Sequence, residues 1–223
     1  HTPSLVETGV MPGGAVTETV DLENQGLAPL TDVELSLLES PSEEPAPSWI
    51  ALGTAASVAA LAGGERLSVP LLVRPGAEIA PGTYSFTLRI GAAGQPDYDI
   101  PVTVVVSTSG IGNLLVHVSD IYTATLDEMG QPVPGLAGAR VTLIEETSQI
   151  VQAESTTDSF GEALFEGLPV GTYIVRVSAA DHADTEMRTR VQPGLTSSVE
   201  IFSLNSLISV SWLVREVLLQ DRY

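Results

Sequence analysis

The sequence predicts an all-β protein built as two tandem immunoglobulin-like antiparallel β-sandwiches, and three observations predict it. Apolar and polar residues alternate at period two along most of the chain, with turn signals at short intervals. One phrase occurs twice, as Pro81-Gly82-Thr83-Tyr84-Ser85-Phe86 and as Pro169-Val170-Gly171-Thr172-Tyr173-Ile174-Val175. Each copy is a Pro/Gly turn opening into a strand whose every second residue can face a core. The copies lie about ninety residues apart, close to the length of one small sandwich. A chain of 223 residues, 43% of them apolar, holds enough material for two such cores.

The elements follow in order. Val16, Val20 and Leu22 share one face of the first clear strand, with Thr17, Thr19, Asp21 and Glu23 on the other. After a turn at Asn24-Gln25-Gly26, Val33, Leu35 and Leu37 mark the next strand. Three prolines between Glu39 and Pro47 exclude a helix or a central strand there and predict an exposed loop. Trp49, immediately after it, is expected to plug the core. Ala55 to Ala62 is the best helix candidate in a chain with few. Gly63-Gly64 turns into Leu67, Val69, Leu71 and Val73. The repeated phrase then leads to Tyr84, Phe86, Leu88 and Ile90, and Ile100 to Val106 closes the first unit.

The expected boundaries are a first sandwich over 1–107, a short glycine-rich linker over 108–112, and a second sandwich over 113–205. The second unit's strands read Leu114 to Val118, Val141/Leu143, Ile150 to Ser155, Ala163 to Phe165, Tyr173 to Val177, Arg188 to Val191, and Val199/Ile201. Loops hold Asp127-Glu128-Met129-Gly130 and Pro132-Val133-Pro134-Gly135. Residues 206–223 alternate again through Ile208, Val210, Trp212 and Val214. They suit either an extra edge strand or the opening of a third module. The chain begins on His1 with no signal peptide, so a processed end or a piece of something longer is expected.

Composition narrows function. There are 28 acidic and 9 basic residues, a formal charge of −19. Such a surface repels nucleic acid and anionic lipid, so neither nucleic-acid binding nor membrane insertion is expected. The most apolar stretch, Ile50 to Ala62, is too short to cross a bilayer. Cysteine is absent, which excludes disulfides, thiol catalysis and cysteine-held metals.

The second unit resembles the carboxypeptidase regulatory-like domains, a transthyretin-like group of immunoglobulin-type sandwiches. The likeness rests on Gly138-Ala139-Arg140-Val141-Thr142-Leu143, on Thr157-Asp158-Ser159-Phe160-Gly161-Glu162-Ala163, and on Leu168-Pro169-Val170-Gly171-Thr172-Tyr173-Ile174-Val175. It implies that Asp158 and Gly161 lie on a tight turn between strands. More loosely, residues 8–106 are similar to immunoglobulin-like modules appended to bacterial glycosidases and surface proteins. That similarity rests on Gly14 to Gly26, Pro47-Ser48-Trp49-Ile50 and Ala80-Pro81-Gly82-Thr83-Tyr84. Both resemblances imply non-catalytic parts of larger extracellular or cell-surface proteins. The related collagen-adhesin repeats lock themselves with a lysine isopeptide bond. This chain has no lysine and cannot form one.

The residues offer little chemistry. No Gly-x-Ser-x-Gly, His-Glu-x-x-His or Ser-x-x-Lys pattern occurs. Thr157-Asp158-Ser159 has Phe160 where an aspartic-protease loop requires glycine. Glu145 and Glu146 are neighbours on a strand and face opposite sides. His182 sits in the polar run Asp181-His182-Ala183-Asp184, with no metal-ligand partner at the right spacing downstream. The calcium candidates are Asp120, Asp127 and Glu128 around one loop, with Asp97 and Asp99 around another. Neither set repeats the Asp-x-Asp-x-Asp-Gly spacing of a calcium loop. No cofactor and no enzymatic activity are expected. The leading expectation is a structural spacer between flanking domains of a larger bacterial surface protein. The alternatives are a carbohydrate- or protein-binding module and a calcium-stabilised adhesin segment.

Overall fold

The computed structural model describes residues 5–120, 125–126, 132–133 and 135–203. The first unit comprises β1 (Val6–Val10), β2 (Val16–Glu23), β3 (Leu30–Glu39), β4 (Ile50–Leu52), β5 (Ser57–Leu61), β6 (Arg66–Val73), β7 (Gly82–Gly91) and β8 (Tyr98–Val106). They form a five-stranded sheet in the order β1-β8-β7-β3-β5 and a three-stranded sheet in the order β2-β6-β4. The second unit comprises β9 (Ile111–Ser119), β10 (Thr125–Leu126), β11 (Pro132–Val133), β12 (Arg140–Glu145), β13 (Val151–Thr156), β14 (Glu162–Pro169), β15 (Gly171–Ser178), β16 (Thr185–Val191) and β17 (Thr196–Phe202). A four-stranded sheet β13-β12-β15-β16 faces a three-stranded sheet β14-β9-β17, and β10 and β11 pair by themselves. No helix occurs among the described residues, so none is long and apolar enough to cross a membrane.

Each pair of sheets encloses its own core. Val20, Leu71, Val73, Phe86, Leu88 and Ile100 fill the first, and Leu114, Val116, Leu143, Tyr173, Val175 and Ile201 the second. These are the alternate, β-branched and aromatic positions of their strands. Burying each such side chain contributes about 1.5–3 kcal/mol, which is the main force holding each sandwich. Trp49 packs edge-on against both Tyr84 and Phe86, with ring centroids 5.3 and 5.4 Å apart, and so closes one side of the first core.

Three features differ from the sequence reading. The helix candidate at Ala55 to Ala62 is strand β5, paired antiparallel with β3 from Leu30↔Leu61 to Glu34↔Ser57. Its alanines favour a helix in isolation, but the open edge of β3 offers ladder hydrogen bonds and Leu61 a place in the interior. The sheets are not wholly antiparallel, because β1 runs parallel to β8 and β17 parallel to β9. In both units, a strand close in sequence to one end of the unit lies beside a strand from the other end. Finally, β9 starts at Ile111, inside the stretch read as a linker. The tail over 206–223, with Trp212, lies outside the described residues.

Candidate functional site

The repeated phrase has one structural meaning in both units. Tyr84 donates its hydroxyl to the carbonyl of Ala80 and Tyr173 to that of Pro169, each across 2.8 Å and four residues upstream. The Pro/Gly turn brings that carbonyl back over the ring, so the phenol can be buried with its polar end satisfied. Tyr173 is fully buried and Tyr84 partly so.

The residues that could do chemistry are placed in structural contacts. Asp120 follows β9 directly and is buried; its Oδ2 lies 2.9 Å from Nε2 of His182, whose Nδ1 lies 2.7 Å from the carbonyl of Ala180. Their side chains are 5% and 1% exposed for His182 and Asp120 respectively. The hydrogen bond to Asp120 raises the His182 pKa above its ordinary 6.5, against the opposing effect of burial. Both ring nitrogens are thus engaged, Nε2 by the Asp120 carboxylate and Nδ1 by the Ala180 carbonyl. The sequence shows His182 only as part of a polar run; the fold brings it to Asp120, 62 residues away. Of the other calcium candidates, Asp127 and Glu128 lie outside the described residues.

Several other acidic residues are similarly occupied. Asp99 accepts both arms of the Arg89 guanidinium at 2.9 Å, which holds its carboxyl below the usual range. Glu145 accepts the backbone N–H groups of Thr147 and Ser148, and the hydrogen bonds from that turn bring its pKa down to about 2. Glu146 pairs with Arg188, so the two neighbouring glutamates serve separate contacts. Asp158 Oδ1 accepts from the N–H groups of Phe160 and Glu162 and shapes the turn that the family resemblance implied. Gly161 closes that turn at φ 78°. Among the described residues no group of three or more histidine, cysteine or acidic side chains is arranged to hold a metal.

Two of the concave surfaces among the described residues bear on function. One is an apolar mouth of about 340 Å³ between the sheets of the first unit, floored by Leu22, Leu30, Val33 and Ile90 beside the half-exposed Tyr98. The other is a polar cleft of about 350 Å³ where the units meet, lined by Glu7, Arg190, Gln192, Leu195 and Thr196 among others. Beside that cleft, Gln192 Oε1 accepts from Gly9 N at 2.5 Å and Gln192 Nε2 donates to Glu18 Oε1 at 3.1 Å. The same carboxylate oxygen accepts from the buried Thr8 hydroxyl at 2.8 Å. No sequence pattern marks this junction; its signal lies in the glycines that the close approach requires.

The described residues thus form a pair of immunoglobulin-like β-sandwiches. Residues 123–204 match the carboxypeptidase regulatory-like domain family. No curated protein matches the chain. Among solved structures, it is similar to a family 123 glycoside hydrolase from Clostridium perfringens at 11% identity and a TM-score of 0.38, over 45% of this chain and 22% of that one. The Bacillus anthracis TIE protein is similar at 14% identity and a TM-score of 0.34, over 92% of this chain and 40% of that one. The Pseudomonas aeruginosa CupB2 chaperone is similar at 10% identity and a TM-score of 0.37, over 83% of this chain and 96% of that one. The chain therefore spans less than half the length of the first two.

Proposed function

We propose that this chain is a non-catalytic structural spacer within a larger bacterial extracellular or cell-surface protein, holding flanking domains of the same polypeptide apart. The observation that carries this reading is the saturated Asp120–His182 pair. The one buried imidazole among the described residues is held by the Ala180 carbonyl of its own loop and by the Asp120 carboxylate, so that it ties this loop to the end of β9. Calorimetric titration of the intact chain with cell-wall polymers and soluble polysaccharides should give no saturable heat.

A second reading, a carbohydrate- or protein-binding module, is favoured by the mouth beside Tyr98. Its volume falls in the range of small-ligand sites, and a half-exposed ring can stack on a sugar face. Saturable binding that disappears in Tyr98→Ala would replace the spacer reading with this one. A calcium-stabilised adhesin segment is the third reading, and it turns on Asp127 and Glu128 more than on Asp120, which already holds His182.

A further inference from the structure

We infer that Gln192 clasps the first sandwich to the second, so that the two units turn as one rigid body rather than as beads on a flexible link. As an edge strand of its sheet, β1 leaves backbone N–H groups without a partner in β8. Gly9 N is capped by the side-chain oxygen of Gln192, which lies in the turn between β16 and β17 of the other unit. The amide nitrogen of the same side chain reaches Glu18, a carboxylate on the inward face of β2 between Val16 and Val20. A charge at that position needs partners, and Thr8 and Gln192 supply them from opposite sides of the junction. One amide thereby satisfies a donor and an acceptor across the joint, with bonds that a rotation of either unit would break.

The backbones also meet too closely for side chains. A Cβ on Gly9 would lie 2.5 Å from the carbonyl oxygen of Pro193, and one on Gly194 would lie 2.9 Å from Cβ of Ser107. Within the second unit, a Cβ on Gly112 would lie 2.0 Å from the carbonyl oxygen of Gln192, so the turn that carries the clasp is packed tightly on β9. The short connection is itself tied at both ends. Ser107 N donates to Val10 O in the first unit, while Val170 N and Gly194 N of the second donate to Gly110 O and Ile111 O. Little chain is left free to act as a hinge.

The absence of cysteine makes the test direct. Spin labels on cysteines introduced at the exposed Thr19 and Gln152 report the distance between units in the intact chain. The parent should give one narrow distribution. Gln192→Glu sets two carboxylates against each other and should broaden it at least twofold. Adding Glu18→Gln restores a donor between the two side chains, while the carboxylate introduced at position 192 still accepts from Gly9, and should return the narrow distribution. A broad parent distribution, an unchanged Gln192→Glu, or a failure of the second substitution to restore it would overturn the clasp. The joint gives the spacer its stiffness and rests on that reading for its purpose, yet the two fail separately. Ligand capture would end the spacer and leave the clasp, whereas a broad parent distribution would leave a flexible spacer.

Discussion

Tyr84 and Tyr173 show how much a single side chain does in each sandwich. Each ring fills part of a core while its hydroxyl ties down the turn that precedes its strand. Tyr173→Phe keeps the ring and loses one hydrogen bond, so denaturant unfolding should show the second unit weakened by about 0.5–1.5 kcal/mol. Tyr173→Ala removes a large buried ring and should cost about 3–5 kcal/mol, enough to unfold a marginal domain. A second residue-scale prediction concerns His182. Because Asp120 raises its pKa in the folded state, the pair adds stability that is fully present below the ordinary value of 6.5. That stability is lost as pH rises through the folded value. The melting temperature of the parent should therefore fall on going from mildly acidic to alkaline pH by more than that of His182→Gln, and parallel profiles would remove the pair from the account.

At the scale of elements, the strands were legible wherever alternation met a core on one side only. The run from Tyr84 to Ile90 and the run from Leu114 to Val118 both read correctly because their inward residues are buried and their outward ones are not. Strand β1 was not legible: its residues Thr8 and Gly9 are both buried, one under Glu18 and the other against the Pro193 turn, so the alternation breaks where the second unit covers it. The same contact with distant chain hid the candidate site, since neither His182 nor Gln192 has a local pattern that points to its partner. What the sequence did mark was the turn at Asp158. Gly161 stands there at φ 78°, and a Cβ on it would lie 2.3 Å from the carbonyl oxygen of Val118. Gly161→Ala should therefore cost more than the roughly 1 kcal/mol of an unstrained glycine replacement, read as a lowered melting temperature of the second unit. Comparison of two connections gives a further test. The exposed loop from 39 to 45 should be cut by protease before the tethered stretch 107–111, and the reverse order would contradict the hydrogen bonds drawn to that stretch.

For the molecule as a whole, charge dominates. A formal charge of −19 on 223 residues makes the folded chain repel itself. Salt shortens the reach of that repulsion to about 8 Å at physiological ionic strength, so the melting temperature should rise with added sodium chloride. Calcium separates a solvated acidic surface from a built site. A surface responds to ionic strength alone, and calcium and sodium chloride at equal ionic strength should then differ by only a degree or two. A built site binds the folded state and stabilises it in proportion to the logarithm of calcium over its dissociation constant. Substituting Asp120 would confuse the two, because it also breaks the contact with His182. Asp127→Asn is the cleaner variant. We expect the two salts to act alike and Asp127→Asn to change neither curve beyond the loss of one charge; a calcium-specific rise of many degrees that Asp127→Asn abolishes would make the second sandwich a calcium-stabilised module.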